Sequence, residues 1–356
     1  MEKRSNQMIL LGASGLALES NDRTLLSALA LSAATGRPFR WEGFRNETSG
    51  LSASEAQWVQ FFASLCDARA FAGEAGGSVV ELDPAVPAVI VPGEREIAIP
   101  GDEPALPFLR AALLSLARAK GTSRFLVKGS THAAGNETFE VTSSTWTDLL
   151  KPLGVELTVQ LHSAGFLPRG GGEMTAHVTG GACWRGADWS KREELHAIQI
   201  VSAGASLPAH VQQRQAARAR SGVAILGIEP AVQLLKLRTG SSGSVVALTG
   251  SFGGLRVTMA SVSERGKSAE TAGEEVSAAF RRYAQQPYVV PERLVDSLLP
   301  FLAFAEGPSK LTTPRLLPRA LACAQLVEAF TGRTVEIDGR PNGPAMITIG
   351  SPRSEL

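Results

Sequence analysis

Gly165-Phe166-Leu167-Pro168-Arg169-Gly170-Gly171-Gly172-Glu173-Met174 places a proline and three consecutive glycines between two strand-like runs, residues 155–161 and 174–178. Glycine permits positive φ and lets another backbone, or a phosphate, come close. A tight turn joining the two strands calls on the same residue types. The phrase closes one repeating unit, and sequence of different composition follows it. The organisation of the chain turns on this point.

Upstream, a short strand at 8–11 and a loop at 12–21 lead into an apolar helix at 23–34 that ends at Thr35-Gly36, with glycine as its C-cap. A strand at 37–44 and an amphipathic helix at 54–68 follow, then short strands at 78–82, 88–91 and 96–99 joined by Pro/Gly turns. The phrase helix, glycine, strand then recurs. It appears as 106–119, Gly121, 124–128; as 145–152, Gly154, 155–161; and near the C-terminus as 319–330, Gly332, 334–337. Such recurrence predicts a repeated α/β unit whose helices cover a sheet face. Residues 180–286 differ: strand 194–201, helix 210–220, strand 231–237, a turn at 239–243, strand 244–249 and helix 269–283. They read as an inserted small α/β domain within a large domain made of 1–179 and 287–356.

Composition sets bounds on function. The 356 residues are 44% hydrophobic and 19% charged, enough for a packed core. A formal net charge of +1 provides no global field toward nucleic acid or membrane, so any polyanion site is a local patch. Cys66, Cys183 and Cys323 are scattered, which makes neither a disulfide framework nor a zinc cluster and fits a reducing cytoplasm, the expected location. No apolar run approaches the roughly 20 residues of a membrane span, and the opening MEKRSNQMILLGASG lacks a cleavage site, so neither a membrane partner nor a signal peptide is expected.

Four phrases together resemble the RNA 3'-terminal phosphate cyclase family. Residues 27–39, including Thr35-Gly36-Arg37-Pro38-Phe39, look like its first helix and strand, and 165–172 match its GFYPxGGG phrase. Residues 263–270 resemble its GERGxxAE phrase, and 294–300 its LADQLLLP segment. Their order and the position of the insert agree too. The resemblance implies an α/β fold of three repeated units, each a four-stranded sheet with two helices, plus the smaller inserted α/β domain. It also implies a chemistry. Cyclases of this family pass AMP from ATP to a histidine and then to an RNA 3'-phosphate; the adjacent 2'-hydroxyl displaces AMP and leaves a 2',3'-cyclic phosphate. ATP, a divalent metal such as magnesium, and RNA 3' ends are the cofactors and partner so implied.

The departures bear on that chemistry. Aligned without gaps on the family's HPSxHxxTN phrase, residues 311–319 put Arg319 where the nucleophilic histidine stands, and the histidines are His132, His162, His177, His196 and His210, so none lies nearby in the chain. A neutral imidazole nitrogen can attack phosphorus; a guanidinium stays protonated and can only hold phosphate. The EGGGQILR phrase corresponds to residues 19–26, where Glu19 is kept but Ser20, Asn21 and Asp22 replace the glycines and Leu26 the arginine. Arg45 keeps the first arginine of IRxxR, the second being lost to Asn46-Glu47-Thr48. GGTxxPxAPP is reduced to Gly129-Ser130-Thr131, PGLxxQH to Gly50-Leu51, and Asp296 is retained.

Glu19, Arg45, Asp296 and Arg319 are therefore the candidate nucleotide- or phosphate-binding residues, with no catalytic residue assigned and the metal ligands left open. Each has a plainer reading as a solvated loop acid, a surface cation or, for Asp296, a charge favouring a helix N-terminus. His132 and His162 stand at no family position and are not expected as substitute nucleophiles. Arg214, Arg218 and Arg220 share a predicted helix at spacings of four and two, which suits a solvated face better than an RNA contact. The expected protein is a cyclase-like member unable to form histidine–AMP that keeps at most a phosphate- or RNA-end-binding cleft. The alternatives are an active cyclase with a changed mechanism and a non-catalytic scaffold in RNA or ribosome processing.

Overall fold

The computed structural model describes residues 7–45, 50–72, 77–86, 89–135, 137–238, 240–263 and 266–352. Residues 46–48, 88, 239, 264 and 265, which enter the reading above, lie outside the described residues.

The first unit runs β1 (Ile9–Gly12), α1 (Asp22–Thr35), β2 (Phe39–Glu42), α2 (Ala53–Cys66), β3 (Arg69–Ala72) and β4 (Val79–Asp83). Its sheet has the order β1-β2-β4-β3, with β1 parallel to β2 and the other pairs antiparallel. Both helices are bounded by local chemistry. The Asn21 side chain accepts from the Arg23 and Thr24 amides, and Gly36 closes α1 at φ 72°. Ser52 and Glu55 form a reciprocal capping box on α2.

The second unit repeats the pattern with β5 (Glu94–Ala98), α3 (Leu106–Arg118) and β6 (Gly121–Gly129), then a small hairpin of β7 (His132–Ala133) and β8 (Glu137–Thr138). A helical stretch follows, made of α4 (Phe139–Val141), a π turn (Thr142–Trp146), α5 (Thr147–Leu150) and a 3-10 turn (Lys151–Leu153) that ends at Gly154. β9 (Glu156–Ser163) and β10 (Gly172–Gly180) complete a sheet ordered β5-β6-β10-β9.

The third unit opens with β11 (Asp188–Trp189) and is interrupted by β12 (Leu195–Ala205), α6 (Ala209–Val223), β13 (Ala231–Lys236), β14 (Gly243–Phe252), β15 (Leu255–Val262) and α7 (Ala269–Ala284). These interrupting strands form their own sheet, β13-β12-β14-β15, with its own apolar cluster under α6 and α7. The third unit resumes with α8 (Val295–Leu302), β16 (Ser309–Thr313), α9 (Pro318–Thr331), β17 (Arg333–Gly339) and β18 (Ala345–Pro352), in the order β11-β16-β18-β17. All three body sheets share one wiring: first strand parallel to second, second and third both antiparallel to fourth. The α/β fold of repeated four-stranded units is thus the observed one.

Several local expectations change. The strand expected at 88–91 is irregular chain over 89–91; it runs into Pro92, which has no amide to give a ladder, and leaves Val89 and Val91 exposed. Gly121 does not break the chain but begins β6 at φ 131°. The helix expected from 145 starts at Phe139, where Thr138 caps it. Strands β3, β7, β8, β11, β15, β16 and β18 have no counterpart in the expected elements.

The Gly165–Met174 stretch joins β9 to β10, and its glycines are packed against backbone. A Cβ on Gly170 would sit 2.6 Å from Gly101 Cα, and one on Gly240, in the insert, 1.9 Å from the Gly171 carbonyl oxygen. Ser241 Oγ accepts from the Phe166 amide and donates to the Gly170 carbonyl, both at 2.8 Å. The Ala164 amide donates to the Arg238 carbonyl at 2.7 Å. Phe166 is buried with Ala203, Ala205, Val245 and Val262 of the insert sheet. The phrase is therefore the joint on which the insert is seated.

Two further joints hold it. Thr145 Oγ1, on the π turn, accepts from the Thr258 amide at 2.8 Å, and Asp148 accepts from the Arg256 amide at 3.0 Å and from its guanidinium at 2.8 Å. Side chains of a helix thus satisfy edge donors of β15 as another strand would. Arg192 donates to the carbonyls of Tyr283, Ala284, Gln286 and Tyr288, at the end of α7 and the return linker, with its guanidinium 4.3 Å from the Phe252 and Tyr283 rings. Cation and carbonyls at a helix C-terminus suit one another.

Gly240→Ala is expected to destabilise the protein by about 1–3 kcal/mol through backbone overpacking and to raise hydrogen exchange in both the 165–172 connection and β13–β14. Gly227→Ala, where a Cβ would meet open space, costs only its left-handed backbone strain, roughly 1–2 kcal/mol, and leaves exchange at 165–172 unchanged.

Candidate functional site

The repeated wiring brings helices of all three units together, with α1 packed against α2, α3, α8 and α9. At the N-terminal ends of α1 and α9 lies an open cleft of about 380 Å³, walled by Glu19, Asn21, Asp22 and Arg23 on one side and by Leu317, Pro318 and Arg319 on the other. Two helix N-termini therefore face one cleft, and both bring positive partial charge to it. α9 begins with Pro318 and has no side-chain cap, so its opening turn is not closed off by a neighbouring hydroxyl or carboxylate.

Of the candidate residues, Glu19 and Arg319 line this cleft, and Glu19 is exposed. Asp296 stands behind it in the first turn of α8, only 3% exposed, with Oδ1 3.1 Å from Arg319 Nε. Arg319 also donates from Nη2 to the Arg293 carbonyl at 3.1 Å. Arg45 is set apart from the cleft lining. It bonds Asp22 Oδ1 at 2.5 Å and Glu55 Oε1 at 2.6 Å, and so neutralises a buried carboxylate that caps α2. Three of the four thus converge on the cleft, and Arg45 reaches it only through Asp22.

The histidines offer no replacement among the residues lining the cleft. His132 is fully buried and stacked on Phe166 at 4.8 Å, with Thr131 Oγ1 2.8 Å from Nδ1 and Glu140 Oε1 3.2 Å from Nε2, so both ring nitrogens are engaged. His162 Nε2 lies 2.8 Å from Thr175 Oγ1. Arg214, Arg218 and Arg220 pair with Glu270, Glu274 and Glu229, the arrangement of a solvated helix face.

Sequence reasoning missed the strongest feature. Glu137, in the hairpin, takes Arg23 Nη2 on Oε1 and Arg110 Nη2 on Oε2, each at 2.5 Å. Arg110 is wholly buried, and Glu137 is 5% exposed. Burial pushes the Glu137 carboxyl up, but Arg110 and Arg23 together more than reverse this and hold it at about 2. For Arg23 burial opposes the charge, yet Glu137 and Asp296 outweigh it; for Arg110 burial wins and its pKa is lowered. The only sign of this triad in the sequence is an arginine inside the apolar helix run Leu106-Pro107-Phe108-Leu109-Arg110-Ala111-Ala112-Leu113-Leu114.

The carboxylates beside the cleft are largely taken up by guanidinium groups. Among the described residues no group of three or more His, Cys, Asp and Glu side chains is placed to hold a metal ion. Asp22, Glu137 and Asp296 each have a guanidinium within 3.1 Å. In the loop before α1 the Asn21 side chain is engaged in capping the helix, and Asp22 adds a carboxylate to the wall.

A family model described as RNA 3'-terminal phosphate cyclase matches residues 18–337. The RNA 3'-terminal phosphate cyclase of Methylococcus capsulatus is 29% identical over 357 residues, covering 97% of this chain and 98% of that protein. That of Salmonella agona is 30% identical over 338 residues, covering 92% and 93%, and that of Nostoc punctiforme 29% over 329 residues, covering 88% and 91%.

Because the Glu137 carboxyl is depressed in the folded state, the stability it contributes is complete above the ordinary carboxylate range near 4.5 and is lost as pH falls toward about 2. Acid unfolding followed by circular dichroism should show this loss, and Glu137→Gln should flatten it. Glu137→Ala, which strands two guanidinium groups, is expected to cost about 3–5 kcal/mol in denaturant titration.

Proposed function

This chain belongs to the RNA 3'-terminal phosphate cyclase family, and we propose that within it the chain has lost the histidine–AMP route and keeps a cleft for a phosphate or a phosphorylated RNA 3' end. The observation that carries the reading is Arg319 on the first turn of α9, lining the cleft and anchored by Asp296 and the Arg293 carbonyl. A guanidinium there has no lone pair with which to take up AMP, but it can donate two parallel hydrogen bonds to a phosphate. The paired helix N-termini add to the attraction.

Each residue then has a part. Arg319 holds a phosphate oxygen, Asp296 fixes the guanidinium in place, and Arg23 supplies charge from the opposite wall. Glu19 and Asp22 put negative charge at the same cleft and so weigh against a ligand with several phosphates. No step requires adenylyl transfer, and none passes through ATP or a metal.

The test uses purified protein, α-labelled ATP, magnesium and an oligoribonucleotide ending in 3'-phosphate, beside an active cyclase. The expected outcome is no protein-bound AMP and no cyclic end, together with tighter binding of the 3'-phosphate oligonucleotide than of its 3'-hydroxyl counterpart. Arg319→Ala should remove about 1.4 kcal/mol or more of that preference, at least tenfold. A cyclic end without protein-bound AMP would move the reading to direct transfer onto RNA. A protein–AMP adduct would refute it.

A further inference from the structure

The arginine triad behind the cleft has a consequence for the ligand. We infer that Arg23, backed by Arg110, stands in for a divalent cation, so that the cleft takes a terminal phosphate monoester without any metal. This rests on the reading of the cleft as a phosphate site and deepens it.

Four observations lead there. First, two guanidinium groups share the single carboxylate of Glu137, which leaves one net positive charge fixed inside the protein. Second, Arg23 Nη1 and Arg110 Nη1 are both buried and have no hydrogen-bond partner. A buried charged donor left unpaired is costly, and an anion's oxygen would relieve that cost. Third, Arg23 lines both the open cleft and an inner cavity of about 20 Å³ that Arg110, Ser27 and Asp296 also line. Arg23 therefore connects the buried charge to the place where a ligand enters, while Arg110 acts through it as a positioning residue. Fourth, the carboxylates that could attract a cation are already taken by arginines, leaving Glu19 as the cleft carboxylate with no arginine partner among the described residues.

The chemistry is consistent with this substitution. Magnesium at a phosphate site is held by one or two carboxylates together with the phosphate's own oxygens. Here Glu19 alone of the cleft carboxylates is without a guanidinium among the described residues, so a second carboxylate could be recruited only by drawing Asp22 or Asp296 away from its arginine. A guanidinium supplies positive charge and fixed donors in the fork geometry of a phosphate, and it loses no hydration shell on ligand entry as a magnesium ion does. Glu19, at the mouth, adds negative charge that weighs against a ligand with several phosphates.

The experiment measures binding of a fluorescent oligoribonucleotide ending in 3'-phosphate, against the same oligonucleotide ending in 3'-hydroxyl, to the full chain in EDTA and in magnesium. Manganese titration of the ligand-free protein, followed by electron paramagnetic resonance, accompanies it. The expected result is a preference for the 3'-phosphate end in EDTA that magnesium changes by less than about twofold, with manganese staying free in solution. Arg23→Gln should reduce the preference for the 3'-phosphate over the 3'-hydroxyl end about tenfold. A preference that appears only with magnesium, or stoichiometric manganese binding abolished by Glu19→Ala, overturns the inference while leaving the phosphate cleft intact. No preference in either buffer overturns both. The comparison of the two buffers needs no variant and so does not depend on how Arg23→Gln folds.

Discussion

A carboxylate held between two guanidinium groups governs how the three units meet. Glu137 comes from the second unit's hairpin, Arg110 from that unit's helix, and Arg23 from the first turn of the first unit's helix. The third unit joins through Asp296, whose charge acts on Arg23 and whose side chain lies against Arg319. Apolar burial between helices is non-directional and assigns no particular partner to a given side chain. Buried charges do assign one, since a guanidinium moved away from its carboxylate is left unpaired in a poor solvent. The ion pairs thus fix where α1 sits, and α1 in turn forms a wall of the cleft.

The charges around the cleft are not matched one to one. Arg319 faces one carboxylate, Arg45 is shared between two, and at Glu137 two guanidinium groups share one. Relatives named as RNA 3'-terminal phosphate cyclases match nearly the whole length of the chain. Residues where α1 and α9 begin form the two walls of one cleft.

Much of the architecture was legible because it is written in local terms. Gly36, Gly154 and Gly332 were read as the ends of helices, and each follows a helical turn in left-handed conformation, at φ 72°, 87° and 70°. The glycine run at 170–172 was read as a place for close approach, and the partner proved to be the backbone of residues 101 and 240. What stayed hidden depends on distance along the chain. β11 is two residues long and has meaning only beside β16. Arg23 and Glu137 are separated by 114 residues, so no spacing rule connects them. Arg45 was legible as a retained arginine, yet its partners, Asp22 and Glu55, could be found only in three dimensions. An arginine within an apolar helix was the one sign that a buried charge had to be answered somewhere.

The insertion point makes the third unit depend on the insert. β11 ends about 120 residues before β16, its sheet partner, and nearly all of the intervening chain is the insert. Closing so long a loop directly costs more chain entropy than closing one of about 30 residues, by roughly 1.2 kcal/mol. With the insert folded, Arg192, in the segment between β11 and β12, ties the chain's entry to its exit and brings the two ends of the third unit side by side. The inserted sheet is then a splint for the third unit. That unit supplies α9, and hence half of the cleft, so the cleft depends on a sheet that contributes none of its lining.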